Sequence, residues 1–251
     1  MEMAGRYEKE GKSAEAVRFY LQILEIAPRS APTYNNLGVN YFELEQYDQA
    51  ISALEKSIAL NPHDEKAYFN LGVVFGHLSR TDESISMLEK ALQINPRYLP
   101  ARIKLCDLRL ASNQAQAAAE CYEKLFLIAP KDAQSNSNYG VALLRLKRLG
   151  AAVEIFEEND KNFTPNAENL NNLGVALLEM RRYREAVFAF HRALALEPAN
   201  DAARYNLAIA SLAGNDKRGA LEQYSFLKKT NRELARKLFE TIFKGKIISP
   251  N

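Results

Sequence analysis

Apolar residues in this chain recur at spacings of three and four, and the stretches that carry them recur in turn. Runs such as LQILEIAP, LEKSIALNP, LEKALQINP, YEKLFLIAP and HRALALEP end on a proline. Pro28, Pro62, Pro96, Pro130, Pro165 and Pro198 stand 34, 34, 34, 35 and 33 residues apart, too regular for scattered loop prolines. Upstream of the later five lie the pairs Leu37-Gly38, Leu71-Gly72, Leu105-Cys106, Tyr139-Gly140 and Leu173-Gly174, and Leu207-Ala208 continues the series. Twelve residues on comes a small residue (Ala50, Ser84, Ala118, Ala152, Ala186, Ala220). Four further on comes a large one (Leu54, Leu88, Tyr122, Phe156, Phe190, Tyr224).

Spacings of three and four are the period of an amphipathic helix. A polar break near Gln46, Arg80, Gln114, Arg148, Arg182 or Asp216 divides each stretch into two helices. Small residues at the Gly and Ala positions allow the two helices to approach closely, and the large residues fill the space around them. Proline lacks an N–H and restricts the residue before it, so it closes the second helix. No strand-like alternation competes. The spacing predicts an all-α chain of helix–turn–helix units.

This pattern resembles the tetratricopeptide repeat, with its period of about 34 residues and its small/aromatic signature. Full units start near Ala31, Glu65, Leu99, Ala133, Ala167 and Asp201 and fill 31–232. Residues 1–30 read as a partial first unit, with Tyr7, Ala16 and Tyr20 at the later signature positions; that start in mid-hairpin suggests the repeat region of a longer chain. Residues 233–251 read as a capping helix and tail, because an open stack needs a last element over its apolar end. In ELARKLFETIFKGK, Leu234, Leu238 and Ile242 form one stripe with Phe239 and Phe243 beside it, and a helix lying on a membrane surface is the alternative reading. Departures are local. There is no Trp; the fourth unit carries Arg102, Cys106 and Arg109 at signature positions; the fifth has Asn159 at a normally apolar place and one extra residue before Pro165. The resemblance implies an α-solenoid, a right-handed superhelix whose first helices face a concave groove.

On that implied inner face, one residue before each Leu of the repeated pair, stand Asn36, Asn70, Lys104, Asn138, Asn172 and Asn206. Asparagine is a mediocre helix-interior residue, so five in six positions calls for a reason. A side-chain amide both donates and accepts, so a row of them can hold the backbone of an extended peptide. The row is similar to the asparagine ladder in the repeat region of O-linked N-acetylglucosamine transferases. The competing reading is hydrogen bonding between hairpins. Three residues on lie Val39, Val73, Asp107, Val141, Val175 and Ile209, a largely apolar stripe. Lys104 and Asp107 interrupt both rows and read either as a surface ion pair or as a pin for a charged ligand side chain. The basic carboxylate clamp of chaperone-binding members is absent: Asn35, Phe69, Ser137 and Asn171 stand where its Lys and Arg would be. Arg145, Lys147, Arg148, Arg181, Arg182 and Arg184 form a basic turn edge, read chiefly as a solubilising surface.

Composition narrows the function further. Thirty-three Lys and Arg against 31 Asp and Glu give a net charge of +2, so no broad basic field points to nucleic acid. No apolar run of membrane-spanning length occurs. His63, His77 and His191 lie about a repeat or more apart, without metal-ligand spacing, and no nucleophile or phosphate-loop motif appears. Cys106 reads as a small buried thiol and Cys121 as an ordinary helix residue. The sequence therefore predicts a non-enzymatic scaffold without cofactor or metal, binding a protein or peptide and itself a monomer or weakly self-associating. A cytoplasmic setting is favoured, with the periplasm open if a signal peptide has been removed. The alternative function is the substrate-recruiting or regulatory region of a larger enzyme such as a glycosyltransferase.

Overall fold

Where each helix stops is decided by its local chemistry. In a computed structural model, which describes residues 6–7 and 10–244, the repeated stretches fold as pairs of helices. In order they are α1 (Ser13–Ile26), α2 (Ala31–Glu43), α3 (Tyr47–Leu60), α4 (Glu65–His77), α5 (Thr81–Ile94), α6 (Leu99–Ala111) and α7 (Ala115–Phe126). There follow α8 (Ala133–Arg145), α9 (Leu149–Asn162), α10 (Ala167–Glu179), α11 (Tyr183–Leu196), α12 (Asp201–Ala213), α13 (Lys217–Thr230) and α14 (Arg232–Lys244). No strand occurs among the described residues. The chain divides into two compact units, Met1–Pro130 and Lys131–Asn251.

The first helix of every full hairpin ends in the same way. Glu45, Ser79, Asn113, Lys147, Arg181 and Asn215 have φ between 58° and 65°, one per repeat and 34 residues apart. This left-handed residue turns the chain so that the next N–H folds back on the helix. Gln46 donates to the Tyr41 carbonyl at 2.8 Å, Arg80 to Phe75 at 2.9 Å and Arg148 to Leu143 at 3.0 Å. Carbonyls otherwise stranded at a helix end are thereby satisfied. None of the six residues is glycine, although glycine would occupy this conformation without the steric cost to a side chain.

Within a hairpin, the repeated Gly faces the large residue sixteen positions on. A Cβ on Gly174 would lie 2.5 Å from Phe190 Cε1, and one on Gly140 would lie 2.6 Å from Phe156 Cε1. Ala50, Ala118, Ala152, Ala186 and Ala220 are completely buried, as are Leu54, Leu88, Tyr122, Phe156 and Phe190. In the first unit Leu71, Val74 and Phe75 pack with Ala50 and Leu54 of the preceding hairpin. In the second, one cluster runs from Leu143 to Leu238, and Leu234 and Ile242 of α14 join it. The α14 stripe thus covers the end of the second unit's core, while Phe239 and Phe243 remain exposed.

The fourth hairpin corrects the reading of the cysteines. Cys106 and Cys121 are joined by a disulfide, with Cα atoms 5.3 Å apart, and are not buried free thiols. Cys106 occupies the position that holds glycine in four of the other hairpins, the point of closest approach between the two helices. Cys121 faces it from α7. Next to this bond, the buried Tyr122 hydroxyl donates to Asp107 at 2.6 Å, so two adjacent residues on α6 are tied to two adjacent residues on α7. The polar departure at Asn159 is likewise accommodated. Its amide is buried and donates to the Ala133 carbonyl and to Asn169, which donates in turn to the Phe156 carbonyl. Ser57 makes the corresponding bond to the Ala31 carbonyl in the second hairpin.

Candidate functional site

Helix α2 starts with Pro at its second position, a place that needs no donor. Its heptad-like register then sends Leu37 and Gly38 into the hairpin and leaves Asn35, Asn36 and Val39 half-buried on another face. With Asn40, Glu43 and Asn70 these line an open groove of about 810 Å³, to which Lys12, Ser13 and Glu15 also contribute. A second cavity of about 220 Å³ adjoins it through Val39 and Asn70, walled by Phe42, Phe69 and Val73. The first unit therefore places side-chain amides directly beside an aliphatic and aromatic pocket, with Glu15, Glu43 and Lys12 as the charged groups at the rim.

The amides also bond to one another. Asn70 Nδ2 donates to Asn35 Oδ1 at 2.9 Å, across from one hairpin to the preceding one. Asn36 Nδ2 donates to the Tyr20 hydroxyl at 3.1 Å. In the second unit Asn206 Nδ2 donates to Asn171 Oδ1 at 3.1 Å, the same bond at the same 35-residue separation. Each donation uses one of the two amide hydrogens. Asn36, Asn70 and Asn206 thus each tie a hairpin to the one before it, as the competing reading of the asparagines expected for these three.

Exposure separates the members. Asn36, Asn70, Asn138 and Asn172 are half-buried, whereas Asn206 has no exposed surface at all and cannot touch a ligand where it stands. Asn138 accepts from Gln134 Nε2 at 3.0 Å. Asp107 receives the Tyr122 hydroxyl, so part of its capacity belongs to its own hairpin, while Lys104 is exposed. Asn35 and Asn171, one position before the expected row, are the acceptors that complete it. A 35-residue spacing between asparagines was the available sign, hidden by the dominant period of 34.

The basic turn edge is partly neutralised in place. Lys147 Nζ contacts both carboxylate oxygens of Glu179 at 2.8 Å. Arg182 forks onto Glu185 at 2.8 and 2.7 Å. That hydrogen bonding holds the Glu185 carboxyl below the usual carboxylate range and raises the Arg182 guanidinium.

Tandem helical hairpins with an amide-lined face define a repeat scaffold of the kind that engages other proteins. Tetratricopeptide repeat models match residues 30–97, 78–137 and 167–200, and the chain belongs to the tetratricopeptide repeat family. No protein of curated function matches it by sequence. Among solved structures, MamA is 25% identical with a TM-score of 0.60, over 64% of this chain and 94% of that one. YrrB, a TPR protein with an unusual peptide-binding site, is 17% identical with a TM-score of 0.64, over 74% and 97%. The C-terminal part of a TPR repeat-containing protein from Cytophaga hutchinsonii is 17% identical with a TM-score of 0.75, over 95% and 98%.

Proposed function

We propose that this protein is a non-catalytic scaffold that holds an extended peptide segment of a partner in the groove of its first unit. The observation that carries the reading is the sharing of Asn70 and Val39 between the amide-lined groove and the apolar pocket. An extended peptide presents N–H and C=O groups along its backbone and alternate side chains to one face. Asn36 and Asn70 meet the first requirement, and the pocket between Phe42, Phe69 and Val73 meets the second. Asn138 and Asn172 continue the same chemistry in the second unit, and Lys104 with Asp107 supplies a charged position at the end of the first. Asn206 serves the stack.

The test is selection from a displayed library of random unstructured peptides, followed by fluorescence anisotropy on the sequences recovered. Bound peptides should share an apolar residue and should weaken when their backbone is N-methylated beside it. Asn36→Ala with Val73→Asp should abolish binding while helix content is kept. Peptides that bind equally well after both changes would sink the proposal, as would a library that yields none.

A further inference from the structure

The capping function of α14 uses only part of its surface. Leu234, Ala235, Leu238 and Ile242 turn into the core of the second unit. On a helix of 3.6 residues per turn, Arg232, Arg236, Phe239 and Phe243 share a neighbouring stripe, and all four are exposed. Phe239 and Phe243 lie with ring centroids 4.6 Å apart, their planes tilted by 39°, and keep 41% and 53% of their surface open to solvent. Helix α13 contributes a matching stripe of Lys217, Leu221, Tyr224 and Lys228. Two contacts join the stripes: Tyr224 meets Phe239 at 6.0 Å, and the Lys217 ammonium sits 5.5 Å from the Phe243 ring. The result is an aromatic ridge framed by cations from two helices. Lys217–Lys244 holds eight Lys and Arg against three Glu, in a chain whose whole net charge is +2. The net positive charge of this protein therefore lies in α13 and α14, with Lys217, Lys228, Arg232 and Arg236 on the side of the exposed rings, while Arg218 pairs with Glu222 and Lys237 with Glu233.

We propose that this face docks on an anionic lipid bilayer, with Phe239 and Phe243 entering the headgroup–acyl boundary and Lys217, Lys228, Arg232 and Arg236 meeting the headgroup phosphates. The chemistry is that of an interfacial helix. Rings supply apolar burial, while Lys and Arg stems lie along the apolar surface and keep their charges in the polar layer. Charge complementarity selects the occupant, because a sheet of anionic headgroups meets all the framing cations at once and needs no matched polar geometry. Glu240 and Glu233 lie just beyond Arg236 on the helix surface and set the outer limit of the ridge, Glu233 pairing with Lys237 at 3.1 Å. No described helix is long and apolar enough to cross the membrane, so docking would be peripheral. It is independent of the peptide groove.

The experiment is co-sedimentation of the full chain with vesicles of phosphatidylcholine alone and of phosphatidylcholine mixed with phosphatidylglycerol, over a series of salt concentrations. Binding should require phosphatidylglycerol and fall as salt rises. Phe239→Ser with Phe243→Ser should weaken it on the order of tenfold or more. Both rings are exposed, so circular dichroism should remain that of the parent. Arg236→Glu with Lys228→Glu should abolish binding by charge alone. Equal binding to phosphatidylcholine, or no loss in the serine variant, would overturn the proposal. So would equal displacement from vesicles by double-stranded DNA in both the parent and the serine variant, because plain polyanion attraction needs no rings. Concentration-dependent dimers that vanish in the serine variant, without vesicle binding, would instead assign the ridge to self-association and equally overturn it.

Discussion

Replacing glycine by alanine along the repeats should change sign with position, because two effects of similar size oppose each other. Alanine is a better helix former than glycine by about 1 kcal/mol in a helix interior. Overpacking a filled core costs about 1–3 kcal/mol. At Gly174 the new Cβ would lie 2.5, 2.7 and 2.7 Å from three atoms of the Phe190 ring, which is completely buried and has no open side to move toward. Three sub-contact distances to a rigid ring place this site at the upper end of the cost, so Gly174→Ala should lose about 1–2 kcal/mol net. Gly72 meets the branch carbon of the buried Leu88 at 3.1 Å and the Ser84 backbone carbonyl at 3.3 Å, milder overlaps than at Gly174, so Gly72→Ala should lose less than Gly174→Ala does. Gly150 meets nothing within 4 Å and lies in the first turn of α9, so Gly150→Ala should gain about 0.5 kcal/mol. The chain already contains the relaxed version of the tight pair: Ala208 takes the glycine position, and its partner Tyr224 is only half-buried. Leucine opposite the glycine gives no relief, since a Cβ on Gly38 would lie 2.6 Å from Leu54 Cγ, but removing the ring should: Phe190→Ala, costly by itself, should couple with Gly174→Ala by at least about 1 kcal/mol. Urea midpoints rank the variants. Repeat arrays can depart from two-state unfolding, so amide exchange in α10 provides the local check. Full stability in Gly174→Ala, or strictly additive losses in the double mutant, would refute the close-packing argument.

The left-handed turn residue should be improvable, and Ser79→Gly should raise stability by about 1 kcal/mol in thermal melts, less the extra freedom glycine gives the unfolded chain. Thiol titration of the unfolded, unreduced protein should find no free cysteine, and reduction should cost up to about 3 kcal/mol for the loop closed by residues 15 apart. Burial raises the phenols of Tyr98 and Tyr205 above their ordinary value of 10.0. The folded state therefore keeps their protons longer than the unfolded chain does. Their contribution should be complete below about pH 10 and be lost as pH rises beyond it. Tyrosinate absorbance followed through alkaline unfolding should show the completely buried Tyr205 ionising with the loss of helix rather than before it.

The repeat itself was legible in the sequence because its cause is local. A helix period, a small residue facing a large one sixteen positions on, and a closing proline all lie within about 34 residues, so reading one unit reads them all. The asparagine row was legible for the same reason. The fate of its amides was not, since Asn70 finds Asn35 and Asn206 finds Asn171 only when successive hairpins stack. Nothing at Glu45 or Lys147 advertises a left-handed turn, because a side chain other than glycine is accepted there only where the folded hairpin fixes it. The disulfide shows the distinction most clearly. Two cysteines in 251 residues say little by count, and in one straight helix a separation of 15 would leave them about 22 Å apart. The intervening turn folds the second helix back onto the first, and at the point of closest approach, where four of the other hairpins carry glycine, the two sulfurs meet. Sequence determined which residues form each helix and which face is apolar. Tertiary structure decided which polar groups are consumed in holding the hairpins together, because hydrogen bonds and disulfides require a distance and a direction that only the packed chain supplies.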